Sequence, residues 1–211
     1  PSSEITLSFW SKGGLSQNTS NSIVSKHGSY KVQQDLSNGS IRPIIYQNNT
    51  LKDIASIDAG NTSWRHITMT FDGDNLKVYV NGALKDTANY PGSIDTGDGY
   101  DLFIGTDGYA PDIRAFNGSI SNVRIYNTAL TPTEVKQLYQ LEQRVPKSTS
   151  VEYPIAQSSP IIKDGLIGAW GYKNPSKLGE DFSGQGNDGT LEGDAVVDKN
   201  GAFVLDGDGD Y

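Results

Sequence analysis

"WRHITMTFDGDNLKVYVNGALKDT", residues 64–87, holds two strand patterns and two turn signals in one short stretch. Ile67, Met69 and Phe71 alternate with polar residues, and so do Leu76, Val78 and Val80. A period of two sets each trio on one face of a strand, with the other face turned to water. Asp72-Gly73 lies between the runs and Asn81-Gly82 follows the second. Both dipeptides accept the positive φ values of tight hairpins. The stretch is therefore read as consecutive antiparallel strands.

The same grammar extends in both directions. Ile5, Leu7 and Phe9 alternate near the start, and Val123 and Ile125 alternate further on. Further turn signals stand at Asp98-Gly99, Asp107-Gly108 and Asn117-Gly118. Many short antiparallel strands at this spacing give an all-β fold, an antiparallel sandwich or jelly roll. One short helix is expected near 132–143, in "LTPTEVKQLYQLEQR". Thr131 is its N-cap, Pro132 its first residue, and Glu134 completes a capping box. Leu138, Leu141 and Val145 should share its buried face. Residues 146–163, rich in Pro, Ser and Thr, read as a linker or surface strap.

Bulk properties exclude several classes of function. A net charge of −8 with pI near 4.7 argues against nucleic acid, which needs clustered Lys and Arg. The chain has no cysteine, hence no disulfide framework or thiol chemistry. No apolar run approaches the roughly 20 residues of a membrane-spanning helix.

Three stretches carry a family resemblance: residues 64–87, "LFIGTDG" at 102–108, and "FNGSISNVRIYNTALTPTEVKQLY" at 116–139. Together they resemble the laminin G-like, concanavalin A-like jelly-roll family. The stretch that closes the sequence resembles that family too, but its first part: GLIGAW at 165–170, "DFSGQGNDG" at 181–189 and "FVLDGDGDY" at 203–211. The resemblance thus implies a jelly-roll body over 1–145 that lacks its first strands, with strands of N-terminal type at 164–211. Those strands complete a jelly roll in one of three ways: by circular permutation onto their own body, by donation to a neighbouring subunit, or within a tandem array. GLIGAW is expected antiparallel to the strand around Ser119–Tyr126. Leu166 and Trp170 should share one core face, with Ile120 and Ile125 as assembly contacts.

Candidate sites follow from composition. Asp181, Ser183, Asn187 and Asp188 supply the oxygens that calcium takes on a tight loop. The resemblance implies a structural Ca2+ there, with Asn122 standing where the family commonly has an acidic residue. A self-capped polar turn is the alternative. "DGDGDY" at 206–211 is read as a solvated turn. Tyr109, Arg114 and Tyr100, with Tyr30 and Tyr46, are candidates to stack and hydrogen-bond a sugar. Trp10, Trp64 and Trp170 sit in strand patterns and are assigned to the core. His66 is read as structural, without a Ser or Cys nucleophile beside it. The scattered Glu residues offer no paired carboxylates for glycoside hydrolysis, so no enzyme activity is expected. Asn18, Asn38, Asn48, Asn61 and Asn117 begin Asn-x-Ser/Thr sequons.

These readings combine into a non-catalytic extracellular or cell-surface module. Its expected role is adhesion or head-to-tail assembly, as in a filament, with copies of itself as partners. A carbohydrate-binding module with a glycan partner is the alternative.

Overall fold

The computed structural model describes residues 3–13, 20–35, 39–55, 57–58, 63–109, 114–143, 164–171, 179–198, 202–208 and 210–211. The linker at 146–163 and the sequons at Asn18, Asn38 and Asn61 lie outside these residues.

The 64–87 stretch forms β6 (Arg65–Phe71), β7 (Asn75–Val80) and most of β8 (Ala83–Asn89), joined by two tight turns. Asn81 and Gly82 take φ of 52° and 74°, the pair of positive values that a two-residue hairpin turn needs. Outward from it, β1 (Ile5–Gly13) pairs antiparallel with β6 on one side and with β10 (Asn117–Tyr126) on the other. Beyond β10 the sheet divides. β13 (Phe203–Asp206) pairs along Asn117–Ile120, and β11 (Leu166–Trp170) pairs along Val123–Tyr126. β12 (Val196–Val197) adds to β13, which completes an eight-stranded sheet.

The facing sheet has five strands in the order β5 (Thr50–Asp53), β4 (Ile41–Gln47), β3 (Tyr30–Asp35), β2 (Ser20–Lys26), β9 (Leu102–Ile104). Leu7, Phe9, Ile67, Met69, Phe71 and Val78 of the larger sheet bury against Ile23, Val32, Ile41 and Ile45 of the smaller. Two antiparallel sheets joined face to face by alternating apolar residues make the expected sandwich. Arg65, fully buried on β6, ties the layers together. It donates to Gln34 Oε1 on β3 at 2.5 Å and to the Gly39 carbonyl at 3.2 Å.

The outer face of the larger sheet is covered as well. Helix α1 (Pro132–Gln143) lies there, and its capping box is formed. The Thr131 amide donates to Glu134 Oε2 at 2.7 Å, and the Glu134 amide donates to Thr131 Oγ1 at 3.3 Å. A second apolar cluster joins Val135 and Leu138 to Tyr79, Tyr126, Leu130, Leu166 and Ala169.

The structure revises three sequence expectations. First, the buried face of α1 is Val135, Leu138 and Glu142, while Leu141 is exposed. The carboxylate of Glu142 turns inward to Arg124, and this sets the helix rotation. Val145 lies outside the described residues. Second, Asn117-Gly118 opens β10 instead of forming a turn. A Cβ at Gly118 would sit 2.4 Å from the Lys12 carbonyl oxygen, so this glycine serves a close strand approach. Third, β11 lies antiparallel on β10 with Trp170 opposite Val123, but the register slips between Ile125 and Tyr126. This irregularity breaks the simple alternation. Trp170 therefore enters the inter-sheet core with Ile120 and Ile125, whereas Leu166 joins Ala169 in the cluster under α1.

Candidate functional site

Among the described residues, three polar clusters hold the sequence candidates for a site, and exposure separates them. The first is the open end of the five-stranded sheet. The β2–β3 hairpin presents His27, β3 presents Lys31, and β4 presents Tyr46. The loop before β9 adds Tyr100, and the loop after it adds Asp107, Tyr109 and Arg114.

Asp107 is the hub, and it is fully buried. Its Oδ1 accepts from His27 Nδ1 at 3.0 Å and from the Tyr109 amide at 3.1 Å. Its Oδ2 accepts from Lys31 Nζ at 2.8 Å and from an Arg114 guanidinium N–H at 3.1 Å. Burial alone would raise this carboxyl, but the hydrogen bond and charge of Lys31, then the Tyr109 amide and His27, outweigh it and bring the pKa down to about 2.

The rings are arranged around His27. Tyr109 stacks on it with centroids 4.9 Å apart and planes 14° apart. Tyr100 and Tyr46 tilt against it at 4.6 and 6.1 Å. Tyr109 is 65% exposed, the largest exposure among the big apolar side chains of the described residues. A carboxylate that cannot move thus fixes an imidazole, which in turn supports an exposed phenol ring.

The structure brings together Tyr100, Tyr109, Arg114 and Tyr46 among the sugar candidates. Tyr30 stands apart, packed against the core, where burial raises its hydroxyl to about 12. Asp107, His27 and Lys31 were missed as site residues. The only trace of them in the sequence is the acidic loop "TDGYAPD" and the scarcity of histidine.

The second place lies under α1. His66 Nε2 is 2.8 Å from Ser8 Oγ and 3.6 Å from Glu142 Oε2. Arg124 pairs with Glu142, and Trp10 Nε1–H donates to the same carboxylate. The sequence reading placed no Ser beside His66; strand pairing of β1 with β6 supplies one. Ser8 and His66 are fully buried and both partners use one imidazole nitrogen, so no nucleophile faces a substrate. Burial, then the charge of Arg124, holds His66 down to about 3. Trp10 stacks on Tyr139 of α1, so it packs on the outer face and not in the sandwich core.

The third place is the 179–211 segment. Asp181 accepts from four donors: the amides of Ala169, Ser183 and Asn187 at 2.9 Å each, and the Ser183 hydroxyl at 2.8 Å. Asp188 accepts from the Asp181 amide, and the Asn187 side chain donates to the Ile167 carbonyl. Asn122, with φ of 50°, lies beside Gly171. Arranged this way, the carboxylate of Asp181 is committed to protein donors.

Among the described residues, the carboxylates that do converge are Asp194, Asp206 and Asp210, within 4.8 Å of one another. The hydrogen bond and charge of Asp210 raise the Asp194 carboxyl. Asp210 is buried, and it caps the amides of Asp194 and Asp206 at 2.9 and 2.8 Å. The expected solvated turn is thus a capped one. Asn48 lies in the exposed β4–β5 turn and Asn117 at the start of β10, where its side chain donates to the Asp206 carbonyl.

The family model of the concanavalin A-like lectin/glucanases superfamily matches residues 1–136. Among solved structures, a candidate carbohydrate-binding protein from Bacteroides ovatus superposes with a TM-score of 0.55 at 16% identity, covering 96% of this chain and 52% of that one. The receptor-binding domain of a botulinum neurotoxin C/D mosaic gives 0.51 at 17%, covering 71% of this chain and 38% of that one. Domain 4 of AbnA, an extracellular GH43 arabinanase of Geobacillus stearothermophilus solved with arabinotriose, gives 0.50 at 23%, covering 66% and 68%. The chain spans about half the length of the first of these and less of the second. At such identities the likeness establishes the fold alone.

Proposed function

Since this chain belongs to the concanavalin A-like lectin/glucanases superfamily, we propose that it is a non-catalytic, extracellular carbohydrate-binding module whose sugar lies on the Tyr109–His27 platform. One observation carries this reading: an exposed ring held rigid by a buried ion cluster. A stacking surface that is already fixed loses little side-chain entropy when a ligand arrives. One structural neighbour is described as carbohydrate-binding and another was solved in complex with arabinotriose, and both support the same class. The platform's central carboxylate, Asp107, is buried and occupied by four donors, which does not favour the catalytic alternative. Among the described residues no helix is long and apolar enough to cross a membrane.

The test is a glycan array read with the wild type and with Tyr109→Ala. Binding to a defined set of glycans that Tyr109→Ala abolishes is expected. A wild type that binds nothing, or a variant with an unchanged profile, would overturn the assignment.

Head-to-tail assembly is a second reading, favoured by one observation. Two stretches of the outer edge of β10, Asn117–Ile120 and Val123–Tyr126, are served by β13 and β11, both from the 164–211 segment. Those strands can serve the same edge on a neighbouring copy, with Leu166, Trp170, Ile120 and Ile125 at the joint. Light scattering that reports a monomer at every concentration would remove it.

We assign the 181–188 loop a capping role on β11. Asp181→Ala should then lower the melting temperature equally in EDTA and in millimolar calcium. A loss confined to calcium would instead assign the loop a structural Ca2+.

A further inference from the structure

We propose that the sugar taken by the Tyr109–His27 platform is an anionic one, a uronate or sulfated residue, held through its acidic group by Arg114. This rests on the carbohydrate-binding reading above.

A neutral pyranose presents hydroxyls that both donate and accept, and it is matched by a site with free groups of both kinds. At this platform the acceptor is already used. Both oxygens of Asp107 are occupied by His27, the Tyr109 amide, Lys31 and Arg114. The nearby Asp95 is committed too, accepting from the amides of Asn48 and Asn49 at 2.9 and 2.8 Å. Of the Lys and Arg groups on Asp107, the one open to solvent is Arg114; the exposed acceptors, Asp98 and Asp101, lie on the Tyr100 loop. The Arg114 side chain is 31% exposed and meets Asp107 through one terminal nitrogen. The other N–H groups of its fork keep the planar geometry that matches a carboxylate or sulfate.

Charge points the same way. Lys31, with its side chain 3% exposed, neutralises Asp107 inside the protein. Arg114 is then a surplus cation on a chain of net charge −8. Asp98 and Asp101 flank Tyr100 in sequence and supply the negative charge of that loop. Lys26 brings a cation to it, donating to the Tyr100 carbonyl at 2.9 Å. The result is a ring to stack on, with a guanidinium beside it.

The experiment is calorimetric titration with tetragalacturonate, a sulfated galactotetraose and neutral galactotetraose, at roughly 50 and 500 mM salt, where screening lengths differ severalfold. The expected result is affinity about tenfold or more higher for an acidic probe than for the neutral one. That preference should shrink severalfold in high salt and vanish in Arg114→Gln, while Arg114→Lys retains part of it. Preference for the sulfated over the carboxylated probe keeps the inference and identifies the acidic group. Equal affinity for acidic and neutral probes, insensitive to salt, overturns it and leaves carbohydrate binding standing. No binding of any of the three, together with an empty glycan array, overturns the platform reading itself. The salt series on the wild type needs no variant, so a misfolded Arg114→Gln would not blunt the test.

Discussion

Two regions of this molecule are made from the same parts. At the end of the five-stranded sheet, buried Asp107 gathers Lys31, Arg114 and His27, with Tyr46, Tyr100 and Tyr109 around the imidazole. Under α1, buried Glu142 gathers Arg124 and His66, with Trp10 and Tyr139 stacked alongside. Each is a carboxylate, cations, a histidine and aromatic rings. The difference lies in where the rings face. In the first, the outermost ring is mostly in water; in the second, every ring is sandwiched between helix and sheet. An ion cluster alone therefore says nothing about function. Covered aromatic faces hold elements together, and an open one is left free to meet a ligand.

The largest expected effect comes from breaking the covered cluster. Glu142→Ala leaves Arg124, 8% exposed, without a counter-charge. Breaking one partner of a buried pair costs about 3–5 kcal/mol. Denaturant unfolding should show that loss, with glycan binding per folded molecule unchanged. A loss below about 1 kcal/mol would mean that α1 is held by Val135 and Leu138 alone.

The open cluster should answer differently. Asp107→Asn strands the Lys31 ammonium in the interior, at a cost of about 3 kcal/mol. It also releases His27, Arg114 and the Tyr109 amide, so stability and binding should fall together. Full binding by the folded Asp107→Asn protein would break the link drawn here between the buried hub and the exposed ring.

The contrast also marks what a reader of the sequence can see. The sandwich was legible because period-two runs and Asn-Gly or Asp-Gly turns are local signals. The pairing of GLIGAW with β10 was legible because the family resemblance ordered the strands. Tyr109 and Arg114 were legible as a pair flanking one loop, and the structure sets both against Asp107. Asp107, His27 and Lys31 were not, because Asp107 lies 80 and 76 residues from His27 and Lys31 and only the fold brings those two within 3.0 Å of its carboxylate. The inward turn of Glu142 was hidden for the same reason. Its spacing from Val135 and Leu138 puts it on their face of the helix, but a carboxylate reads as solvent-facing, and only Arg124 on β10 explains it there. Trp10 reads as core from alternation, yet its strand has two covered faces, and period two cannot tell them apart.

Acid should separate the clusters in two steps. His66 is held near 3 in the folded protein, against 6.5 when unfolded, so the unfolded chain binds the extra proton. Stability must then decline as pH falls from 6.5 toward 3, by about 2–3 kcal/mol at pH 4.5. Asp107 is depressed to about 2 from 3.8, so its contribution is intact above 3.8 and is lost only as pH falls toward 2. Unfolding free energy measured against pH should show the His66 step first, and His66→Gln should erase that step alone. A flat profile from pH 7 to 4.5 would show that the imidazole is protonated in the folded state.

The smallest effect on stability should accompany the clearest effect on binding. Tyr109 and Tyr139 each lie against a histidine, Tyr109 on His27 and Tyr139 beside His66. Tyr139 also stacks on Trp10, 5.7 Å away, and lies over Gly82 of the β7–β8 turn. Truncating it to Ala should cost about 3 kcal/mol, as for other large-to-small changes at packed sites. Tyr109, being 65% exposed, has little packing to lose. Its truncation should change stability by no more than about 0.5 kcal/mol, the range of ordinary surface substitutions. A sugar face laid on that ring, however, removes apolar surface from water on both partners. Losing it should weaken binding by about tenfold or more. The pair of variants therefore tests the comparison directly. If Tyr109→Ala unfolds the protein, the ring is structural and the platform is a second patch of glue. If Tyr139→Ala weakens glycan binding at full stability, the covered cluster is the receptive one.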